Sequence, residues 1–313
     1  MSYVSIKIDV TDALPVDATQ GATVEIAAWV FPPNTAKAPE VPSTIVLLNG
    51  GTYDKRYFHV EVPGRSHYSV ADELSARGHL VILPDHLGVW ESSKLPDQRK
   101  ATRRIAALAN HAAVTEIYRR LEAGTLDPSI PPMPCFIKAG GGHSMGGSQS
   151  LAQQAEFETY DRLMIIGFTA IGVHAHVNGQ RIPMPDVVPH WEDDYRLIQH
   201  RDLEAAAFHW DDVPQDVLDV DDALSVPVPR EISGASVVQG IASEDAGRVT
   251  VPVYICLGEK DVSPRPYDEP SYYTSSKDVT LHILPRSGHC QSFASTRLEM
   301  IDRIDGWLRS LPQ

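Results

Sequence analysis

The chain has 313 residues, of which 42 % are hydrophobic and 22 % are charged, a balance typical of a globular protein with a large buried core. It carries 27 basic and 41 acidic side chains, which gives a formal net charge of −14 at pH 7. Nucleic acids and anionic membranes bind basic patches, so this charge argues against either of them as a partner.

The first fifteen residues, MSYVSIKIDVTDALP, contain no basic leader followed by an apolar stretch, and no segment has the length of an uncharged transmembrane helix. We therefore expect a cytoplasmic protein. The three cysteines, Cys135, Cys256 and Cys290, are too few and too scattered for a disulfide framework. Two of them lie in or beside predicted strands, where we expect free thiols packed in the core.

Apolar runs bounded by glycine and proline recur along the chain. SIKIDV and TVEIAAWVF alternate as half-exposed strands do, and STIVLLNGG, HLVILPD and CFIKAGG are continuous runs typical of buried parallel strands. Helical patterns lie between them in SHYSVADELSARG, which ends at Gly78, and in PDQRKATRRIAALANHAAVTEIYRRLEAG, which ends at Gly124. The strands RLMIIGFTA, VPVYICLG and VTLHILP and the helix STRLEMIDRIDGWLRSL follow. This alternation predicts an α/β fold, with a mostly parallel sheet covered by helices on both faces.

One stretch, from about residue 171 to residue 249, interrupts this order. It has no apolar strand run and mixes aromatic residues, carboxylates and short helical patterns. We interpret it as an insertion between two strands of a core formed by residues 1–170 and 250–313. Its acidic run between residues 190 and 222 is interpreted as a solvated outer face, with an acidic rim around an entrance as the alternative.

The segment GGGHSMGGSQS carries the spacing G-x-S-x-G at Gly142, Ser144 and Gly146. It follows a predicted strand and precedes a predicted helix, which is the context in which such a serine is a nucleophile. The turn must be tight enough to strain the serine backbone, so small residues are required at Gly142 and Gly146. Gly147 would let the helix pack close to the sheet.

A serine nucleophile needs a base and an acid that orients it. His289 lies in LHILPRSGHCQSF, after the last predicted strand, and Asp261 lies in VYICLGEKDVSP, after the strand before it. Glu259 is the rival acid, two residues earlier. The chain order Ser144, Asp261, His289 is the order expected when this triad sits on a parallel sheet, and we assign Asp261 as the acid.

Four segments, GGHSMGG, LGEKDVSP, PRSGHC and VILPDHLGVWESS, resemble the α/β-hydrolase superfamily, and the resemblance covers most of the chain. It implies an eight-stranded, mostly parallel sheet and an inserted helical cap over the active site at residues 171–249. Within this superfamily, the chain is similar to the esterase-like members that have a cap and a serine nucleophile.

The resemblance also implies an oxyanion hole built from two backbone amides. One is that of Met145, and the second lies in LLNGGTYDKRYF, where Asn49-Gly50 replaces the frequent His-Gly of the family. We favour Gly51 as the second donor, with Thr52 as the alternative. In VILPDHLGVWESS, Trp90-Glu91 replaces a glycine, which suggests a modified pocket wall, and Asp85 is carried over as a structural residue.

We expect the substrate to contact Thr52 and Tyr53 beside the oxyanion loop and the cap residues Trp191 and Trp210. These two tryptophans, together with Tyr195 and Phe208, favour an apolar pocket. His174 and His176, with His190 nearby in the sequence, suggest a metal site. An alternating pair of histidines without a clear third ligand is rarely such a site, so we expect no metal. We also expect no organic cofactor.

These residues predict acyl transfer from a small-molecule substrate to water. Carboxylic ester, lactone and thioester hydrolysis all fit the pattern, and amide or carbon–carbon cleavage stays open. The alternative is a ligand receptor or a lyase on the same fold, since fold alone does not decide function. Assembly into a homo-oligomer is left open.

Overall fold

A computed structural model describes residues 3–177, 180–184, 194–196 and 205–310. Its strands are β1 (Val4–Asp9), β2 (Glu25–Phe31), β3 (Ser43–Leu48), β4 (Leu80–Pro84), β5 (Ile137–His143), β6 (Arg162–Ile166), β7 (His174–Val177), β8 (Gln180–Pro183), β9 (Tyr195–Arg196), β10 (Val228–Pro229), β11 (Val253–Gly258) and β12 (Val279–Leu284). Its α-helices are α1 (Val16–Thr19), α2 (Val70–Ala76), α3 (Arg103–Ala123), α4 (Met145–Phe157), α5 (Ala205–Phe208), α6 (Gln215–Ala223), α7 (Arg230–Val237), α8 (Ser243–Arg248) and α9 (Arg297–Ser310).

Eight strands form one sheet in the order β1-β2-β4-β3-β5-β6-β11-β12. Strand β2 is antiparallel to both β1 and β4, and the other pairs are parallel. Strands β3, β4, β6 and β11 are buried along their whole length, which explains their continuous apolar sequences. The predicted fold class is confirmed.

Successive side chains of the central strands pack on opposite faces of the sheet. On one face Val46 and Ile165 join a cluster with the apolar stripe of α3. On the other face Ile45 and Met164 join a second cluster with the buried residues of α2 and α9. The sheet therefore has a hydrophobic core on each side, and its carboxyl edge carries the loops that follow β3, β5, β11 and β12.

Helix α3 begins later than the sequence pattern predicts. The side chain of Thr102 caps its first turn by accepting from the amide of Ile105, and Gly124 ends it in the left-handed conformation with φ 67°. The residues before Thr102 form a separate 3₁₀ turn, Gln98–Lys100, which the side chain of Asp97 caps. Two caps of the same kind lie close together, and only the second one starts the long helix.

Between β6 and β11 the described residues form two short antiparallel pairs, β7 with β8 and β9 with β10, besides the helices α5 to α8. Helices α7 and α8 pack against α4 of the core. The boundaries of a cap at residues 171 and 249 stay a prediction. None of the helices that the structure describes combines the length and the apolar character needed to cross a membrane.

All three cysteines are free. Cys256 and Cys290 are buried, as a thiol packed in the core should be, whereas Cys135 is exposed. The expectation of core packing is wrong for Cys135 because β5 begins at Ile137, two residues after it, so this thiol lies outside the sheet.

Candidate active site

Ser144 lies at the sharp turn between β5 and α4. Its backbone has φ 53° and ψ −118°, a combination that non-glycine residues rarely adopt. Its amide donates to the carbonyl of Ile166 on the neighbouring strand, at 2.9 Å. A Cβ at Gly142 or at Gly146 would collide with the carbonyl oxygen of Leu48. The predicted strain and the predicted need for small residues are both confirmed.

The loops after β11 and β12 bring an imidazole and a carboxylate to this serine. The Nε2 atom of His289 lies 2.9 Å from Ser144 Oγ, and its Nδ1 atom lies 2.7 Å from Asp261 Oδ1. With Asp261 as acceptor, the proton sits on Nδ1 and Nε2 is free to accept the serine proton. The three side chains that the sequence singled out thus form one hydrogen-bonded line.

Besides His289, two backbone amides and one side-chain amide hold the carboxylate of Asp261 in place. The amides of Gly258 and Val262 donate to it at 2.9 and 2.7 Å, and Gln291 Nε2 donates at 2.6 Å. The rival carboxylate, that of Glu259, is exposed and accepts from the amide of Arg286 at 2.7 Å. The geometry therefore favours Asp261 over Glu259. The sequence carries no signal for Gln291 because this residue belongs to no motif, although it follows His289 by only two residues.

His143, the residue before the serine, supports the same histidine loop. Its Nε2 atom donates to the carbonyl of His289 at 2.8 Å, and its ring stacks on Tyr57 with 4.6 Å between centroids. The side chain is buried. In the sequence His143 is only the variable position of G-x-S-x-G, and its role depends on a contact 146 residues away.

The loop after β3 lies opposite the serine. Gly51, Thr52 and Met145 all line the cavity at Ser144. Thr52 has φ 69°, in the left-handed region, and Asn49 Nδ2 braces the loop by donating to the carbonyls of Gly50 and Tyr53 at 3.1 and 2.5 Å. Between Gly51 and Thr52 the second oxyanion donor stays open, and Gly51 remains our choice.

A buried histidine, His86, holds this loop through a hydrogen bond to its backbone. His86 Nε2 donates to the carbonyl of Asn49 at 2.8 Å. Burial lowers the pKa of His86 to about 4, with the Asn49 carbonyl opposing the shift. His86 is therefore neutral at pH 7 and acts as a hydrogen-bond donor from a fixed nitrogen.

The cavity at Ser144 has a volume of about 150 Å³ and is mostly apolar. Its wall includes Gly51, Thr52, Tyr53, Met145, Phe168, Val173, His174, Met184, Phe208, Ser233, Ser236, Val237 and Val262. No lysine or arginine side chain lies among the described residues that line it. Burial, with Arg181 and Arg265 nearby, lowers the pKa of His174, one of the lining histidines, which is therefore uncharged at neutral pH.

Some of the residues predicted to contact the substrate line the cavity, and others do not. Thr52 and Tyr53 line the cavity, and so does the aromatic Phe208, whose ring meets His289 edge-on. Trp210 is not part of the cavity wall, because its ring packs under the ammonium group of Lys260 at 4.3 Å. Tyr195 also lies elsewhere and donates to Gln98 at 2.8 Å.

Trp191 and His190 lie outside the described residues, and so does the side chain of His176.

Trp90 and Glu91, which replace a glycine of the family pattern, lie beside a buried lysine rather than in a pocket wall. Lys55 is fully buried, and its Nζ lies 2.5 Å from both Asp85 Oδ2 and Glu91 Oε2 and 4.4 Å from the Trp90 ring. Burial raises the pKa of Asp85 to about 6, and Lys55 opposes the shift. The expected pocket wall is wrong because neither Trp90 nor Glu91 reaches the cavity.

Among the described residues, His209, Asp221 and Cys290 offer three metal-type donor atoms within 4.8 Å of one another, all buried. His209 Nε2 and Asp221 Oδ2 are 2.7 Å apart. Two ligands of a tetrahedral zinc ion would be separated by roughly 3.3 Å, given metal–ligand bonds of about 2.0 Å. A direct hydrogen bond accounts for this pair.

Comparisons with known proteins agree with this architecture. A family model described as the alpha/beta hydrolase family matches residues 45–299. No curated protein matches the chain significantly.

Among solved structures the chain is similar to a thermophilic esterase from Thermogutta terrifontis, with 15 % identity, a TM-score of 0.63 and coverage of 99 % of this chain and 98 % of that one. It is similar to an esterase from Exiguobacterium antarcticum, with 14 % identity, a TM-score of 0.64 and coverage of 94 % and 98 %. Est1E from Butyrivibrio proteoclasticus, with bound ferulic acid, shows 15 % identity, a TM-score of 0.53 and coverage of 91 % and 94 %. At these identities the likeness concerns the fold.

Proposed function

The chain belongs to the alpha/beta hydrolase family, and from that premise we propose that it is a serine hydrolase which cleaves a carboxylic ester of a small, largely apolar substrate. The observation that carries the proposal is the hydrogen-bonded line from Ser144 Oγ through His289 to Asp261, at 2.9 and 2.7 Å. Such a line makes a serine hydroxyl a nucleophile because the imidazole removes its proton as the hydroxyl attacks.

In the first half of the reaction Ser144 Oγ attacks the ester carbonyl carbon, and its proton passes to His289 Nε2. Asp261 stabilises the resulting imidazolium through the Nδ1 proton. The tetrahedral intermediate then collapses, the bond from carbon to the alcohol oxygen breaks, and His289 gives its proton to the departing alkoxide. An alcohol leaves, and the acyl group stays on Ser144.

In the second half a water molecule replaces the alcohol. His289 takes one proton from the water as its oxygen attacks the acyl carbon, and then returns that proton to Ser144 Oγ as the carbon–oxygen bond to the serine breaks. The products are a carboxylic acid and the free enzyme.

Negative charge develops on the carbonyl oxygen in both halves, and two backbone amides are proposed to receive it. Met145 is the first residue of α4, so its amide is one of the helix N-terminal donors that have no partner within the helix. Gly51 lies across the cavity, where a Cβ would meet the side chain of Met145 at 3.7 Å. Amides aimed at a developing oxyanion typically contribute about 10²- to 10³-fold in rate each.

The cavity supports an uncharged ester as substrate. Its wall is mostly apolar, and a carboxylate placed beside the described lining residues would find no cation to pair with. A volume of about 150 Å³ suits a short acyl or alcohol group. Two of the structurally similar proteins are named esterases, which agrees with this choice.

The proposal is tested by covalent labelling with a fluorophosphonate probe, followed by turnover of p-nitrophenyl acetate and butyrate. Wild type should label at Ser144 and hydrolyse both esters. Ser144→Ala should lose labelling and lower turnover by about 10⁴- to 10⁶-fold while unfolding at the wild-type temperature.

Ser150→Ala is the matched control. Ser150 lies in α4, the helix that begins directly after Ser144, and its buried hydroxyl has no hydrogen-bond partner among the described residues, so activity should persist. Labelling without turnover of any ester would point to a ligand receptor instead. A Ser144→Ala variant with more than a tenth of wild-type turnover would remove Ser144 from the mechanism.

A further inference from the structure

A second buried carboxylate lies close to the proposed active site, and the mechanism does not use it. Asp221, in α6, is only 1 % exposed. Its Oδ1 atom accepts from Tyr53 Oη at 2.7 Å, and its Oδ2 atom accepts from His209 Nε2 at 2.7 Å. A buried carboxylate that loses these partners is costly, so the three side chains constrain one another.

The Oδ1 side of Asp221 holds the loop that carries Gly51. Tyr53 follows Gly51 by two residues, and the carbonyl of Thr52 between them accepts from the amide of Val226 at 2.8 Å. Thr52 has the strained φ of 69°, a conformation that costs about 1 kcal/mol or more and persists only where neighbours enforce it. Asp221 and Val226 provide two such restraints, both from α6 and the segment just after it.

The Oδ2 side of Asp221 reaches the loop that carries His289. The two residues before His209 present their carbonyls to this loop: Ala207 accepts from the amide of His289 at 2.9 Å, and Phe208 accepts from that of Cys290 at 2.8 Å. Tyr53 Oη also lies 3.4 Å from Cys290 Sγ. One carboxylate is therefore connected to both loops that face Ser144.

We propose that Asp221 is a positioning residue, whose carboxylate fixes the oxyanion loop and the His289 loop relative to each other. The inference rests on the proposed function, since it assumes that these two loops serve one reaction. Loss of the carboxylate should let Gly51 and His289 drift apart. A misplacement of about 1 Å can cost about 10²-fold in rate even when substrate still binds.

The test compares Asp221→Asn, Tyr53→Phe and the double variant. The readouts are the second-order rate of fluorophosphonate labelling at Ser144 and the separate values of kcat and KM for p-nitrophenyl butyrate. Asp221→Asn should lower the labelling rate and kcat by about 10- to 100-fold, with KM within about threefold of wild type. Tyr53→Phe should act in the same direction and preserve the fold. The double variant should be no worse than the more damaged single variant, because both changes break one linkage.

Asp219→Asn is the control, since it makes the same chemical change on an exposed residue of the same helix and should label at the wild-type rate. A folded Asp221→Asn protein that labels as fast as this control, or losses that simply add in the double variant, would overturn the proposal. A wild type that labels but hydrolyses no ester would instead refute the esterase function. The labelling rates of the variants would still decide the positioning role.

Discussion

Ser144, the proposed nucleophile, combines a strained backbone with a side chain that contacts His289. Its φ of 53° costs on the order of 1–3 kcal/mol, and the surrounding sheet and helix enforce it. In this conformation Oγ lies 2.9 Å from His289 Nε2. At the residue scale the site is therefore defined by backbone conformation as well as by side-chain type.

The choice between two carboxylates is a prediction at this scale. Asp261→Asn should lower kcat by about 10⁴-fold, because an amide favours the wrong tautomer of His289. Glu259→Gln should change kcat less than twofold, since the carboxylate of Glu259 is exposed and accepts a hydrogen bond from the backbone amide of Arg286, away from His289. Steady-state kinetics on both purified variants check this. The reverse ranking would show that Glu259 is the acid.

A second prediction concerns the buried His86 and the dependence of the free energy of unfolding on pH. The folded-state pKa of His86 is lowered to about 4 from an ordinary value of 6.5, so between these values the unfolded chain binds the proton more readily. The stability contributed by neutral His86 is thus present above pH 6.5 and is lost as the pH falls towards 4. From pH 7 to pH 5 the free energy of unfolding should fall by about 2 kcal/mol through His86 alone.

Urea unfolding at pH 7 and pH 5, for wild type and for His86→Gln, measures this contribution. The variant should be less stable than wild type at pH 7 and should lose less stability on acidification. An identical loss in the two proteins would mean that His86 is not the group that titrates.

At the scale of elements, the turn between β5 and α4 is possible only because backbones approach each other closely there. Gly146 lies against the carbonyl of Leu48 at the end of β3, and a Cβ at Gly147 would lie 2.8 Å from Cβ of Phe168, just after β6. Helix α4 therefore starts tightly against the sheet, and its first amide is placed at the cavity. The predicted close packing at Gly147 is confirmed.

Two glycine-to-alanine substitutions in helices should have opposite effects. Gly146→Ala should destabilise the fold by about 2 kcal/mol, typical of an overpacked site, and lower kcat as β3 and α4 move apart. Gly306→Ala, in α9, meets nothing within 4 Å and should stabilise the fold by about 0.5–1 kcal/mol. Urea unfolding and kcat of both variants check the pair. Equal stability changes would refute the steric argument.

At the scale of the whole molecule, two hydrophobic cores hold a sheet whose carboxyl edge collects every proposed catalytic group. The sequence carries a net charge of −14, and among the described residues Asp211, Asp212, Asp216 and Asp219 are exposed. The cavity wall is mostly apolar by contrast. Substrate selection should therefore reflect both the field of the whole protein and the lack of a cation in the described wall.

This contrast predicts a preference for neutral esters. A neutral ester should have a kcat/KM at least about tenfold above that of an isosteric ester bearing a carboxylate, because the buried charge would be unpaired. The difference should narrow between 0.01 M and 0.15 M salt, as the Debye length falls from about 30 Å to about 8 Å. Measuring both esters at both salt concentrations tests this. A preference for the anion would place a cationic subsite in the pocket.

The sequence alone determined the order of the eight strands of the main sheet and of the core helices α2, α3, α4 and α9, and it singled out Ser144, Asp261 and His289. Both follow from local patterns: apolar periodicity reports burial within an element, and G-x-S-x-G reports a backbone turn that only small residues permit. Because parallel strands place their carboxyl ends at one edge, the loops after β5, β11 and β12 had to meet there.

The tertiary structure alone decided which side chains brace that edge and which line the cavity. His143, Gln291 and Asp221 have hydrogen-bond partners far away in the chain or outside any motif, so no local pattern marks them. The same reason explains why Trp210 does not line the cavity as predicted, since a tryptophan packs on a lysine such as Lys260 as readily as on a substrate. Periodicity records whether a residue is buried, but only the folded chain determines what it is buried against.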